Sequence, residues 1–324
     1  MNSDVALEVS GLSKRYGDVL ALNDISLTVN KGDLFGFLGP NGAGKTTTIN
    51  LLTGLGRVNS GTIKICGIDI TRDAKKAQHL VGVVPDESSL YPELSGYDNL
   101  CFCAALYGMP GKERRHRAQE LLDMFDLRSA ANRKFSTYSK GMKRKLTFAA
   151  GIIHYPSILF LDEPTTGIDV SSARQLRQLI ADIHHSGTTV FLTTHYIEEA
   201  ERLCERIAFI VAGRVVRVDT TANLLQPVQG RNMLMISAAA ADSELLNQLA
   251  SAFPRYQFNS ISKDQIQVES SAPADVAALV GFLSENAVAV NEVRKYNLSL
   301  EDVFIRVTGL GADVIRKEKE GANR

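Results

Sequence analysis

No uninterrupted apolar run in these 324 residues reaches the roughly 20 needed to span a bilayer. The longest candidate, residues 146–161, is interrupted by His154 and Pro156. If the protein works at a membrane, another chain must supply the span. The N-terminus, MNSDVALEVS, lacks the basic-then-apolar order of a secretory leader. Only four cysteines occur, Cys66, Cys101, Cys103 and Cys204, and none stands in a CxxC pair. A cytosolic chain with reduced thiols fits that usage. Net charge is missing too: 36 basic and 36 acidic side chains cancel, so no bulk attraction to nucleic acid or an anionic membrane is indicated. What remains is a chain that is 44% hydrophobic, long enough for one large domain with its own core and a smaller second one.

The first thirty residues alternate in the manner of strands, in ALEVSGLSKRY and LNDISLTV. An apolar run, LFGFLG (34–39), leads into a glycine-rich loop, and TTTINLLTGL after it reads as a helix. GTIKICGIDI (61–70) and LVGVVP (80–85) add strands. Residues from about 95 to 153 have helical spacing, with Leu121, Leu122, Phe125 and Leu127 on one expected stripe. Strand-like runs return in SILFLDEP and TTVFLTTH, with a helical stretch between them. This rhythm predicts an α/β fold built on a parallel sheet. After a looser segment, a second rhythm follows. A strand, a helix with Leu245, Leu246, Leu249 and Phe253 on one face, and a hairpin turning at Lys263 and Asp264 lead to a second helix. There Val276, Leu279, Val280 and Leu283 share a face, and a final strand follows. That β-α-β-β-α-β order predicts a small, ferredoxin-like α+β domain. The charged tail RKEKEGANR is expected to be mobile.

The chemistry concentrates in the loop. Gly39, Gly44, Lys45 and Thr46 match G-x-x-x-x-G-K-[ST], and Pro40, Asn41, Gly42 and Ala43 fill the interval. Glycines let backbone N–H groups wrap a phosphate, and the helix start adds its partial positive charge. Lys45 is expected to reach the β/γ-phosphates, the Thr46 hydroxyl to ligate Mg²⁺, and Thr47 to bond the α-phosphate. A glycine turn that binds nothing is the competing reading, and the strand-loop-helix order argues against it. Downstream, ILFLDE ends an apolar strand in two carboxylates. Ligands of parallel sheets bind at the carboxyl ends of the strands. Asp162 is therefore expected in the Mg²⁺ shell and Glu163 as the group that polarises the attacking water. His195 ends the next strand and could reach the same phosphate. A strand-end cap (Asp162) and a satisfied core histidine (His195) are the plainer readings of each residue taken alone.

TYSKGMKRKL (137–146), LDEPTTGID (161–169) and TTH (193–195), in that order, resemble the ATP-binding cassette ATPases over about residues 5–220. YSKGM stands where L-S-G-G-Q is usual; Ser139 and Gly141 keep their places, and Tyr138, Lys140 and Met142 replace Leu, Gly and Gln. The resemblance implies a P-loop NTPase cassette: a RecA-like parallel sheet core, an antiparallel β subdomain and a helical subdomain. It implies that Ser139 and Gly141 grip the γ-phosphate of ATP held by a second cassette, in a head-to-tail homodimer or pseudo-dimer. Ser139 is in any case a good helix N-cap, and an ordinary capped helix with Lys143 to Lys145 on a solvated basic face is the alternative. Asp169 would lie at the dimer contact, and Tyr16 would stack on adenine. Asp86, in VVPDESS, stands where glutamine is usual and would act on Mg²⁺ through a water, or directly only when the dimer closes, or else cap its turn.

Finer likeness, in VVPDESSLYPELSGYDNL, YSKGMKRKL and SLEDVF (299–304), is to ATPases of bacterial and archaeal drug and ion exporters, whose transmembrane permease is usually a separate subunit. The expected organisation is a cassette over 1–222 with a helical subdomain over about 95–153, a linker over 223–231, an accessory domain over 232–310 and a tail over 311–324. The cassette would sit at the cytoplasmic face of the membrane, and no nucleic-acid partner is expected. The rival reading is a soluble cassette ATPase acting on nucleic acid or the ribosome. Such proteins usually carry two cassettes or a long coiled-coil insertion, and neither is present. A ligand-binding regulatory role for the C-terminal domain is a third reading.

Overall fold

Three short runs, LFGFL, ILFLD and TVFLTT, are buried along their whole length, as strands covered on both faces must be. The computed structural model describes residues 4–225, 232–238, 242–270, 272–296 and 299–309. The chain divides into two compact units: the described residues of Met1–Thr221 with those of Phe304–Arg324, and Ala222–Val303.

The first unit opens with β1 (Val5–Tyr16) and β2 (Val19–Asn30), then β3 (Leu34–Leu38) and α1 (Lys45–Leu52). Next come β4 (Ser60–Ile65), β5 (Ile68–Asp69), α2 (Ala74–His79) and β6 (Val81–Val84). The helical segment holds α3 (Gly96–Leu106), α4 (Gly111–Met124) and α5 (Lys140–Gly151). After it follow β7 (Ile158–Asp162), α6 (Val170–His185), β8 (Thr189–Thr194), α7 (Ile197–Leu203), β9 (Arg206–Val211) and β10 (Arg214–Thr220). One sheet has the order β10-β9-β3-β8-β7-β6 and is parallel except at β10. A second, antiparallel sheet has the order β2-β1-β4-β5. Alternate residues of β2 (Ile25, Leu27, Val29) are buried and their neighbours exposed, because only one face of this sheet meets the core. Phe35, Phe37 and Phe160 fill the centre around Phe191, each with its ring centroid 5.4–5.5 Å from that of Phe191. This α/β architecture has the parallel core sheet, the antiparallel sheet and the helical segment expected from the sequence.

The register matters for function. Leu38 pairs with Thr194 and Asp162 with Thr193, so three strand ends stop at one level and their following loops converge there. In α4 the apolar stripe breaks sooner than its spacing suggests. The helix stops at Met124, Asp126 takes φ +55°, and Phe125 and Leu127 are buried from the turn that follows.

The second unit comprises most of α8 (Thr221–Leu225), then β11 (Asn232–Ala238), α9 (Ser243–Ala252), β12 (Gln257–Ser262), β13 (Gln265–Ser270), α10 (Val276–Glu285) and β14 (Val290–Tyr296). Its sheet has the order β12-β13-β11-β14, antiparallel throughout, a split β-α-β arrangement. Ile236, Leu245, Leu249, Ile266, Val268, Leu279 and Leu283 form its core. Val276, expected on the buried face, is instead 39% exposed at the first position of α10. The division between units runs through the last helix, α11 (Leu300–Thr308), whereas the sequence reading kept 232–310 together. Most of the expected linker, and the whole 311–324 tail, lie outside the described residues.

Phe304 belongs to the first unit and sets its ring edge-on to the buried Phe209 of β9, with centroids 5.1 Å apart. Phe304→Ala should therefore destabilise the chain by about 3 kcal/mol through a lost side chain and an unfilled cavity. Urea unfolding of the full chain checks this; an unchanged midpoint would mean that α11 contributes nothing there.

Candidate phosphate-binding site

The loop after β3 has to pass close to β9 before it turns into α1. A Cβ on Gly39 would lie 2.2 Å from the Ile210 carbonyl oxygen, so no larger residue fits. Gly44 caps α1 at φ +105°, a left-handed conformation that favours glycine. Between them Ala43 is buried, its N–H donating to the Pro40 carbonyl at 3.1 Å, while Asn41 and Gly42 are exposed. Thr46 is exposed on the first turn of α1, and Thr47 is half-buried.

Lys45 is only 5% exposed, and its ammonium has three oxygen neighbours. It donates to the carbonyls of Gly39 (2.8 Å) and Pro40 (3.1 Å) and pairs with Glu163 Oε1 at 3.0 Å. The other carboxylate oxygen of Glu163 accepts from His195 Nδ1 at 2.5 Å and from the Thr166 hydroxyl at 2.9 Å. Burial works against the charge on Glu163, but the His195 hydrogen bond and the Lys45 cation outweigh it and hold its carboxyl at about 2. An ionised carboxylate makes Nδ1 the donor of that bond. Glu163 also sits at φ +46°, a conformation that costs a non-glycine residue roughly 1–2 kcal/mol. Its own N–H, donating to the Thr193 carbonyl at 3.1 Å, helps to hold it there.

Asp162 is buried one residue earlier, and its Oδ1 accepts from the Thr193 hydroxyl at 2.6 Å. Asp86 follows β6. Burial raises its carboxyl, the nearby Arg144 opposes that, and the charges of Glu163 and Asp162 add to the rise. The three acids therefore share one electrostatic environment.

Two expected groups stand apart from this hydrogen-bonded cluster. Tyr16, at the end of β1, is exposed, with Lys14 Nζ 4.8 Å from its ring centroid. Ser139 caps α5, accepting from the Met142 N–H at 3.3 Å, and Asp169 caps α6, accepting from the Ser172 N–H at 2.9 Å. These two helix starts are neighbours: a Cβ on Gly141 would lie 3.1 Å from Ser172 Oγ, and one on Gly167 2.6 Å from Lys140 Nζ.

The solvated-face reading of residues 143–145 is corrected at its centre. Arg144 is buried. Its Nε donates to the Pro164 carbonyl, Nη1 to those of Pro85 and Asp86, and Nη2 to those of Asp162 and Glu163. The sequence did hold a signal. Counting back four residues along the helix from the buried Phe148 lands on Arg144, so a charge falls on the apolar face. The supporting hydroxyls of Thr166 and Thr193 left no such trace.

A strand, a glycine loop, a buried lysine at a helix start and acids on the neighbouring strand ends define a P-loop nucleotide-binding protein. Residues 22–166 match the family model described as ABC transporter. The linearmycin resistance ATP-binding protein LnrL of Bacillus subtilis is 32% identical, over 94% of this chain and 98% of that protein. The daunorubicin/doxorubicin resistance ATP-binding protein DrrA of Streptomyces peucetius is 38% identical, over 95% and 94%. Among solved structures, an ATP-binding subunit of an ABC transporter overlays with TM-score 0.63 at 29% identity, covering 68% of this chain and 92% of its own. A dimeric post-hydrolysis cassette bound to ADP and Pi gives 0.61 at 27%, covering 66% and 98%. The chain belongs to the ABC transporter family, as one of its ATP-hydrolysing cassette proteins.

The depressed Glu163 carboxyl makes stability pH-dependent. A carboxyl whose folded value lies below its unfolded one stabilises the fold above the unfolded value, 4.5, and loses that contribution as pH falls toward about 2. In the nucleotide-free chain this is on the order of 3 kcal/mol. In urea unfolding at about pH 5 and about pH 3, the stability gap between the parent and Glu163→Gln should narrow at the lower pH. A gap independent of pH would show that the His195 bond and the Lys45 pair do not stabilise the free protein.

Proposed function

We propose that this chain is the ATP-driven subunit of an exporter, peripheral at the cytoplasmic face of the membrane and working with a separate permease. The observation that carries the catalytic part is the Glu163 carboxylate, bonded on one side to the phosphate-loop lysine and on the other to His195. Lys45 and the loop N–H groups would take the β- and γ-phosphates. Glu163 would accept the proton of the attacking water, and His195 would orient the γ-phosphate. Tyr16 would stack on adenine. Ser139, Gly141 and Asp169 would meet the nucleotide of a second copy packed head-to-tail.

Hydroxyl and carboxylate oxygens at Thr46, Asp162 and Asp86 suit Mg²⁺, a hard cation. Among the described residues no three His, Cys, Asp or Glu side chains form a metal cluster. That too suits an ion usually held by one or two carboxylates together with substrate phosphates. Bound there, Mg²⁺ would neutralise charge on the phosphates.

Export is supported by relatives named for drug resistance and by the Nod factor export ATP-binding protein I of Burkholderia lata, 34% identical over 94% of this chain and 97% of that protein. Among the described residues no helix is long and apolar enough to cross a membrane, so the span is assigned to the permease. The exposed Tyr91, Phe102 and Leu106, on and beside α3, offer it an apolar contact. Action on nucleic acid is disfavoured by the balanced charge; co-purification with a membrane protein rather than nucleic acid decides between them.

Lys45→Ala should abolish tight ATP binding, and Glu163→Gln should keep binding but stop phosphate release. Nucleotide titration and a phosphate assay read the two separately, and normal affinity in the first or parent turnover in the second defeats the assignment. Asp86→Ala should raise the Mg²⁺ concentration for half-maximal activity, and Asp86→Gln should largely restore it. Parent Mg²⁺ dependence in both variants would make Asp86 a turn residue.

A further inference from the structure

Glu199 lies in the first turn of α7 and is 4% exposed, a carboxyl deep in the protein that none of the roles above uses. Its Oε1 accepts from the Thr165 hydroxyl at 2.6 Å, and the nearby Thr194 hydroxyl favours its charged form. Its Oε2 is buried with no hydrogen-bond partner among the described residues. Burial raises this carboxyl; the two threonines and Arg177 oppose that rise, and the charge of Glu163 adds to it. An acid so costly to bury calls for a reason beyond packing.

The reason is in what it joins. Thr165 is two residues after Glu163, and Thr194 is one residue before His195. The loop after β7 and the loop after β8 meet at their tips in the Glu163–His195 bond. Behind the tips, Glu199 joins them again. Glu163 occupies a positive-φ conformation, which persists only when the surroundings over-determine it. Its direct supports are Thr193, Thr166 and Arg144. The Thr165–Glu199 bond anchors the far side of Pro164, so the turn cannot relax by swinging its C-terminal limb.

We infer that Glu199 is a positioning residue for ATP hydrolysis: from the start of α7, through Thr165, it holds the turn that carries Glu163 against the loop that carries His195. This rests on the assignment of Glu163 and His195 to the reaction. It touches neither the phosphate loop nor Tyr16, so it acts on turnover and not on nucleotide affinity.

The full chain is assayed for phosphate release and titrated with ATP. Thr165→Val, which keeps the side chain's shape, should lower kcat about 10–100-fold, the loss expected for a misplaced reacting group. KM and ATP affinity should stay within about twofold. Glu199→Ala should behave alike, and Glu199→Gln, which keeps the acceptor oxygen, should recover most of the loss. Thr165→Val combined with Glu199→Ala should be no worse than either alone, because both break one bond. Parent kcat in Thr165→Val, additive losses in the pair, or a KM rise matching the kcat loss would each overturn the inference. Should Thr165→Val unfold, the contrast between Glu199→Gln and Glu199→Ala decides alone. Glu163→Gln run alongside separates the two claims. If it is inactive while Thr165→Val turns over normally, only Glu199 loses its role; if it turns over normally, the reading of Glu163 fails first.

Discussion

Arg144 carries a full charge into the protein and satisfies it with dipoles instead of an acid. A guanidinium has five N–H donors in a fixed plane, and here they meet five carbonyl oxygens on two loops, those after β6 and β7. Burial lowers the Arg144 value, while the charges of Asp86, Asp162 and Glu199 favour its cation. Each of the two loops ends a buried parallel strand, where backbone carbonyls would otherwise lack partners. Arg144 also belongs to the helix that Ser139 starts. One side chain therefore sets the spacing between the Asp86 turn, the Asp162–Glu163 turn and the start of α5. Lysine could not replace it, since three donors on a flexible stem cannot span the same five acceptors.

Around that anchor the site is built from small groups with one task each. Thr193 holds Asp162 by its hydroxyl and the Glu163 N–H by its carbonyl. Thr166 holds the Glu163 carboxylate, and Thr165 reaches the opposite way to α7. A short β-branched hydroxyl suits this work, because few rotamers are open to it and little freedom is lost on bonding. The strained Glu163 backbone is held by several such contacts at once.

What could be read from the sequence divides along the same line. The glycine loop, the acids of ILFLDE and the histidine of TTH are local patterns, and the parallel register brings Lys45, Glu163 and His195 together. Groups whose meaning is tertiary left a faint trace or none; for Arg144 it is only the four-residue offset from the buried Phe148. Arg144 sits in a run of basic residues that looks like a wet surface, and Glu199 is the second of two adjacent glutamates whose neighbour, Glu198, is exposed. Phe304 lies in a helix whose sequence says nothing of β9. Tyr16 and Ser139 illustrate the converse: their motif positions were plain, yet within one copy of the chain neither joins the cluster, since their proposed partners are a nucleotide and a second copy.

The Lys45–Glu163 pair has a consequence for protons. A carboxylate held at about 2 is a poor acceptor for a proton from water, because basicity falls with the value of its conjugate acid. Triphosphate entering the loop would draw on the same ammonium, and the carboxylate would lose one of the two partners, beside His195, that keep it weak. Its affinity for a proton would then rise. Under the proposed assignment, nucleotide loading would thus turn a stabilised counter-ion into a better proton acceptor, so that the substrate itself would strengthen the base that acts on it.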